Sequence, residues 1–160
     1  MKKVIIILFL GLFVIGCGSA GDENASATKP ADETTNDATA GTNPSYDPNR
    51  GEGKFKDVAI SDKLDVASAG KGEKIAELKC LSCHKLTDEK LVGPGWAGVT
   101  SRHKPEWIMN FVTNTDAMID KDPKVQAMLE ICMVRMPSQN LNDDDARNLL
   151  EYMRKVDGVK

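Results

Sequence analysis

Residues 79–86 read KCLSCHKL, with Cys80 and Cys83 three apart and His84 directly after the second cysteine. Two thiols and an imidazole at this spacing allow a metal site, a redox dithiol or a haem attachment. A zinc site needs about four ligands in tetrahedral array. Cys80, Cys83, His103 and Cys132 would have to supply them, and no second paired motif appears. A thioredoxin-like dithiol needs an α/β scaffold around its C-x-x-C, and no segment reads convincingly as a strand. Haem attachment needs only C-x-x-C-H itself. On a helix these residues fall at i, i+3 and i+4 and share a face. Both thiols then add to the vinyl groups along one porphyrin edge, and the His84 imidazole meets the iron from one side. One covalently bound haem c is the expected cofactor, with Cys80 and Cys83 as thioethers and His84 as axial ligand.

The ligand on the other side of the iron decides what the site does. Most of the 7 methionines read as core. Met136 differs because Pro137 follows it, stops any helix and biases Met136 toward extended backbone. A loop methionine held this way leaves its sulfur free, so Met136 is the expected sixth ligand. Met133 and His103 are the alternatives, and the plainer reading of His103 is a solvent-facing loop residue beside Arg102.

Elements that would position these groups follow from periodicity and caps. Residues 70–82 carry Ile75, Leu78 and Leu81 at helical spacing. Pro105 suits the first position of a helix to about Val112, bearing Trp107, Ile108 and Phe111. Asp122 and Pro123 read as N-cap and first residue of another, with Val125, Met128, Leu129 and Cys132 on one face. Cys132 is then expected to be a buried small hydrophobe. Asn142 caps the last helix, Asp143, Asp144 and Asp145 favour its dipole, Ala146, Leu149, Leu150, Met153 and Val156 form its stripe, and Gly158 ends it. The expectation is an all-α domain over residues 58–160, three to five helices wrapped around the haem. Loops such as 85–104 are too long for a self-sufficient bundle, and only 5% of residues are aromatic. A large flat hydrophobe supplies the missing core.

The segment before this domain differs in kind. Lys2 and Lys3 precede an apolar run over residues 4–15. That run is too short for the roughly 20 residues that span a bilayer and fits the core of an export signal over residues 1–16. Its end, Val14-Ile15-Gly16-Cys17, resembles a bacterial lipobox, which implies lipid on Cys17. Gly18-Ser19 in place of Asp implies the outer membrane, on its periplasmic side or displayed at the surface. Residues 18–57 are dominated by Gly, Ser, Ala, Thr, Asn, Asp and Pro and cannot bury enough surface to offset ordering entropy. With Cys17 they read as a flexible linker, 17–57, whose span is on the order of 35 Å. The formal net charge of −3 argues against nucleic acid as a partner, since phosphate binding needs a basic surface.

The domain from about Val66 onward resembles a class I c-type cytochrome. Gly72 matches the family's small residue where the first and last helices cross, and Leu149 and Tyr152 match the pair packed against it. Pro94, in LVGPGWAG, matches the proline whose carbonyl accepts the axial histidine's Nδ1–H, and Met136-Pro137 matches the distal ligand motif. Ala76 departs from the family, which often has an aromatic there. The resemblance implies an electron carrier, not an enzyme, with both axial positions filled. Its partners would be redox proteins: a donor cytochrome or quinol-oxidising complex, and a terminal reductase or oxidase. Residues 131–158 resemble small lipoprotein cytochromes of periplasmic nitrous-oxide reduction. A haem enzyme or gas sensor with an exchangeable sixth ligand, or a haem subunit of a larger complex, are the competing expectations. Lys71, Lys74, Lys79, Lys85 and Lys90 crowd the attachment motif and are expected either to steer an acidic partner or to form a solvated face.

Overall fold

The computed structural model describes residues 46–160, all within the compact unit Thr39–Lys160. The expected export signal, the lipid site at Cys17 and the first part of the linker lie outside the described residues. Among the described residues six helices follow in order: α1 (Val66–Lys79), α2 (Val99–Arg102), α3 (Pro105–Thr113), α4 (Thr115–Lys121), α5 (Pro123–Cys132) and α6 (Asp143–Val156). The count exceeds the expected three to five because α2 is a single turn and α4, barely two turns, carries no pattern long enough to read. No strand occurs among the described residues.

Local chemistry sets the helix ends. Asp65 caps α1 through a bond from Ser68 N, so α1 starts earlier than the periodic run and ends at Lys79, before the cysteines. Asp122 caps α5 by accepting from Lys124 N and Val125 N, and Asn142 caps α6 by accepting from Asp145 N. Pro105 and Pro123 open α3 and α5, where a missing N–H costs nothing.

α1 packs most extensively on α6. Its buried residues are Ala69, Gly72 and Ala76, while Leu78 is 84% exposed. The large apolar residues therefore misreport this helix: its buried face is small because a helix backbone must approach it. A Cβ on Gly72 would stand 2.0 Å from the Asn148 carbonyl oxygen and 2.8 Å from Tyr152 Cβ. From α6, Ala146, Leu149, Leu150, Tyr152 and Met153 are buried, and a buried Glu151–Arg154 pair closes at 2.7 Å. Val156, expected in the stripe, is only half-buried.

Residues 46–57, expected to belong to the linker, instead pack on α3, α4 and the start of α5. Asn110, wholly buried, donates from Nδ2 to the carbonyls of Arg50 and Phe55 (both 2.9 Å) and accepts from Phe55 N on Oδ1 (2.9 Å). Asn114 Nδ2 donates to Glu52 O at 3.2 Å. Tyr46 OH donates to the Asp122 carboxylate. A Cβ on Gly53 would meet Asn110 Oδ1 at 2.2 Å, so the arm lies flush against α3.

Candidate functional site

Beyond Lys79 the chain makes one more turn. Cys83 N and His84 N both donate to Cys80 O at 3.0 Å. This turn, not a continued helix, brings Cys80, Cys83 and His84 to one side. Cys80 is 5% exposed and Cys83 half-buried. Burial pushes the Cys80 thiol up to about 11.

His84 is held from two directions. Its Nδ1 lies 2.8 Å from the Pro94 carbonyl oxygen, which fixes the tautomer with the proton on Nδ1 and leaves Nε2 free as a ligand. Gly93 lies against the ring face, where a Cβ would come within 2.4 Å of Cε1. The loop achieves this by folding back: Gly93 N donates to Cys83 O at 2.8 Å and Trp96 N to Lys85 O at 2.9 Å. Trp96, buried and absent from the sequence reading, stands 5.7 Å from the His84 ring and 6.5 Å from Tyr152. At the loop's far end Asp157, the C-cap of α6, accepts from Gly98 N (2.6 Å) and Thr100 N (2.8 Å).

His84 faces an apolar cleft with two lobes of about 610 and about 800 Å³, counting their open mouths. Cys83 lines one lobe and Cys80 the other, while His84, Pro94, Phe111, Met128 and Met136 line both. Met136 is half-buried in the loop between α5 and α6. Its neighbour Arg135 ties that loop to α4, with Nη2 at 3.0 Å from both Asp116 Oδ1 and Asp120 Oδ1. The cleft suits a haem: the walls are apolar, and two thiols, an oriented imidazole and a thioether all border it.

The other expected residues fall less simply. Met133 is the left-handed C-cap of α5 (φ 56°) and 83% exposed, and it does not line the cleft. His103 is not a solvent-facing residue. It is half-buried, stacks on Trp107 at 3.8 Å and lines one lobe. Its Nδ1 is buried without a partner, and burial first, then Lys124 and Arg102, lowers its pKa to about 4. Cys132 is not fully buried either; it is half-buried in the cleft wall. Cys80, Cys83, His103 and Cys132 do not converge, and no metal-ion cluster of His, Cys, Asp and Glu exists among the described residues. Three of the five lysines are occupied: Lys85 pairs with Glu89 at 2.6 Å, while Lys79 and Lys90 donate to the carbonyls of Gln139 and Ile131. No described helix is long and apolar enough to cross a membrane.

Residues 69–157 match the family model for cytochrome c. Among solved structures the chain is similar to the cytochrome c from Rhodothermus marinus, at 34% identity and a TM-score of 0.63, over 66% of this chain and 90% of that one. An engineered cytochrome c from the same organism, Rma TDE, matches at 33% identity and a TM-score of 0.63, with the same coverage. A structure of that engineered protein bound to a carbene intermediate matches at 33% and 0.60, also over 66% and 90%. A search of the curated proteins finds no match.

Proposed function

Because the chain belongs to the cytochrome c family and binds haem c covalently, we propose that it is a membrane-anchored, periplasmic carrier of single electrons. The haem supplies a one-electron change at its iron, at a potential that thioether ligation raises relative to bis-histidine ligation. The chain's own residues hold and shield it. Cys80 and Cys83 would hold it as thioethers, His84 Nε2 and the Met136 sulfur would ligate its iron, and Pro94 O orients the imidazole. Arg135, anchored on α4, keeps the Met136 loop in place. Phe111, Ile119, Val125 and Leu129 exclude water from the cleft. With His84 and Met136 both on the iron, the site would leave substrate no place to bind, which favours a carrier over an enzyme.

One observation carries this reading: His84 and Met136 border both lobes of a single cleft. Optical spectra in both redox states, with and without carbon monoxide, test it. The wild type should be low-spin, show a sulfur-to-iron charge-transfer band and ignore carbon monoxide. Met136→Ala should lose the band and bind the gas. Ready binding by the wild type would assign the chain to haem enzymes or gas sensors instead.

The partners we propose are a donor cytochrome or quinol-oxidising complex and a terminal reductase or oxidase, nitrous-oxide reduction included. Val92 and Val134, which line the cleft, and Leu91 and Ile131, close by them in the chain, are exposed, which suits small transient redox contacts. Lys85 is paired with Glu89, while Lys79 and Lys90 bond neutral carbonyls and keep their charge, so steering by the lysine cluster rests on Lys71, Lys74, Lys79 and Lys90. Lipid on Cys17 is the proposed anchor, and Cys17→Ala should move the protein from the membrane fraction to the soluble fraction.

A further inference from the structure

The residue that ties the N-terminal arm to the cleft is Asp122. It is wholly buried, yet four donors reach it. Oδ1 accepts from Lys124 N (2.8 Å) and Val125 N (3.0 Å). Oδ2 accepts from Trp107 Nε1 (2.7 Å) and from Tyr46 OH. Three of these four are N–H groups, which can only donate, so the geometry is that of an ionised carboxylate. No lysine or arginine among the described residues makes an ion pair with it. The nearby charged groups stand farther off: Lys124 turns its Nζ to Pro48 O, and Glu52 and Asp47 lie beside Tyr46. His103, stacked on the other ring of this group, is neutral at pH 7 because burial holds its pKa near 4. The dipole of α5 offsets only part of the negative charge.

Trp107 spans the space between this charge and the cleft, its Nε1 on Asp122 and its ring in the wall of the larger lobe. A charge buried in a poorly polarisable interior acts over longer distances than one in water. We propose that Asp122 is a positioning and potential-setting residue, a fixed buried negative charge that favours ferric over ferrous iron in the adjacent cleft. The N-terminal arm is then part of the redox site, because Tyr46 both seals the carboxylate from water and disperses its charge.

The test is the midpoint potential of the holo-protein, read by spectroelectrochemical titration, and it rests on the haem occupying this cleft. Asp122→Asn keeps the shape and removes the charge, so the midpoint should rise. Mere loosening would admit water, favour ferric iron and lower it. Tyr46→Phe keeps the charge and removes one compensating donor, so the midpoint should fall. A midpoint that falls or stays fixed in Asp122→Asn overturns the proposal. If that variant does not fold, a midpoint that rises or stays fixed in Tyr46→Phe overturns it. The charge-transfer band is recorded alongside. Its absence from the wild type would sink the Met136 assignment while leaving the potential shifts readable.

Discussion

Exchanging Gly72 for alanine adds one methyl group at the tightest point of the fold. That Cβ would stand 2.0 Å from the Asn148 carbonyl oxygen, 2.6 Å from its carbonyl carbon and 2.8 Å from Tyr152 Cβ. Ordinary contact begins near 3.4 Å, so α1 and α6 must separate by roughly 1.4 Å (3.4 less 2.0) or tilt. The obstacle is backbone and no rotamer change relieves it, which places the cost at the upper end of overpacking, about 3 kcal/mol. Helix propensity returns up to about 1 kcal/mol, leaving a net loss of about 2 kcal/mol. For a domain of this size the melting temperature should drop by roughly 8 °C. Gly70 is the internal control: it lies in the same helix with nothing within 4 Å of a built Cβ. Gly70→Ala should stabilise by about 0.5–1 kcal/mol through propensity alone. Thermal unfolding of both holo variants, followed by circular dichroism, decides the matter. If Gly72→Ala melts no lower than Gly70→Ala, the close crossing does not hold the domain together.

Two further expectations concern the site. Gly93→Ala would set a methyl group 2.4 Å from His84 Cε1, tilting the ring and weakening its bond to Pro94. The fraction of protein with a high-spin or displaced axial ligand should rise about tenfold, equivalent to about 1.4 kcal/mol, and an unchanged spectrum would show that the ring is held otherwise. His103 links stability to pH. Its pKa falls from 6.5 to about 4 in the folded protein, so the unfolded chain takes up its proton first as pH drops. Stability from this group is complete above about pH 6.5 and is lost as pH falls toward 4. A plot of melting temperature against pH should slope across that window, and His103→Gln should flatten it. An equally steep plot would place the responsible group elsewhere.

The attachment motif and the helix caps were legible because each is local: Cys80, Cys83 and His84 need only their spacing, and Asp122 and Asn142 announce themselves beside the helices they cap. The crossing at Gly72 is not local, since it meets Asn148 and Tyr152, and it was legible only through the family resemblance. The arm at 46–57 was not legible. Its composition is that of a linker, and what orders it comes from far along the chain: Asn110, Asn114 and Asp122 supply hydrogen bonds that no local pattern encodes. Leu78 misled because hydrophobic periodicity weights large side chains, whereas α1 buries its small ones. His103 and Trp96 escaped for a related reason. Stacking of one ring on another depends on how the 85–104 loop folds back, and isolated ring residues leave no periodic trace. Burial of Asp122 was equally hidden, since an N-cap aspartate is ordinarily at the surface.

The pairing of α1 with α6 also carries a timetable. The first helix can hide Ala69, Gly72 and Ala76 only against a partner that comes last in the order of elements, and Leu64 N is likewise bonded to Lys160 O at 3.0 Å. Contacts this distant along the chain form slowly and late. A chain emerging N-terminus first therefore exposes its C-x-x-C-H turn, next to an unpaired helix, until α6 arrives. The topology keeps Cys80 reachable for covalent modification while the chain is unfinished and buries it when the last helix docks.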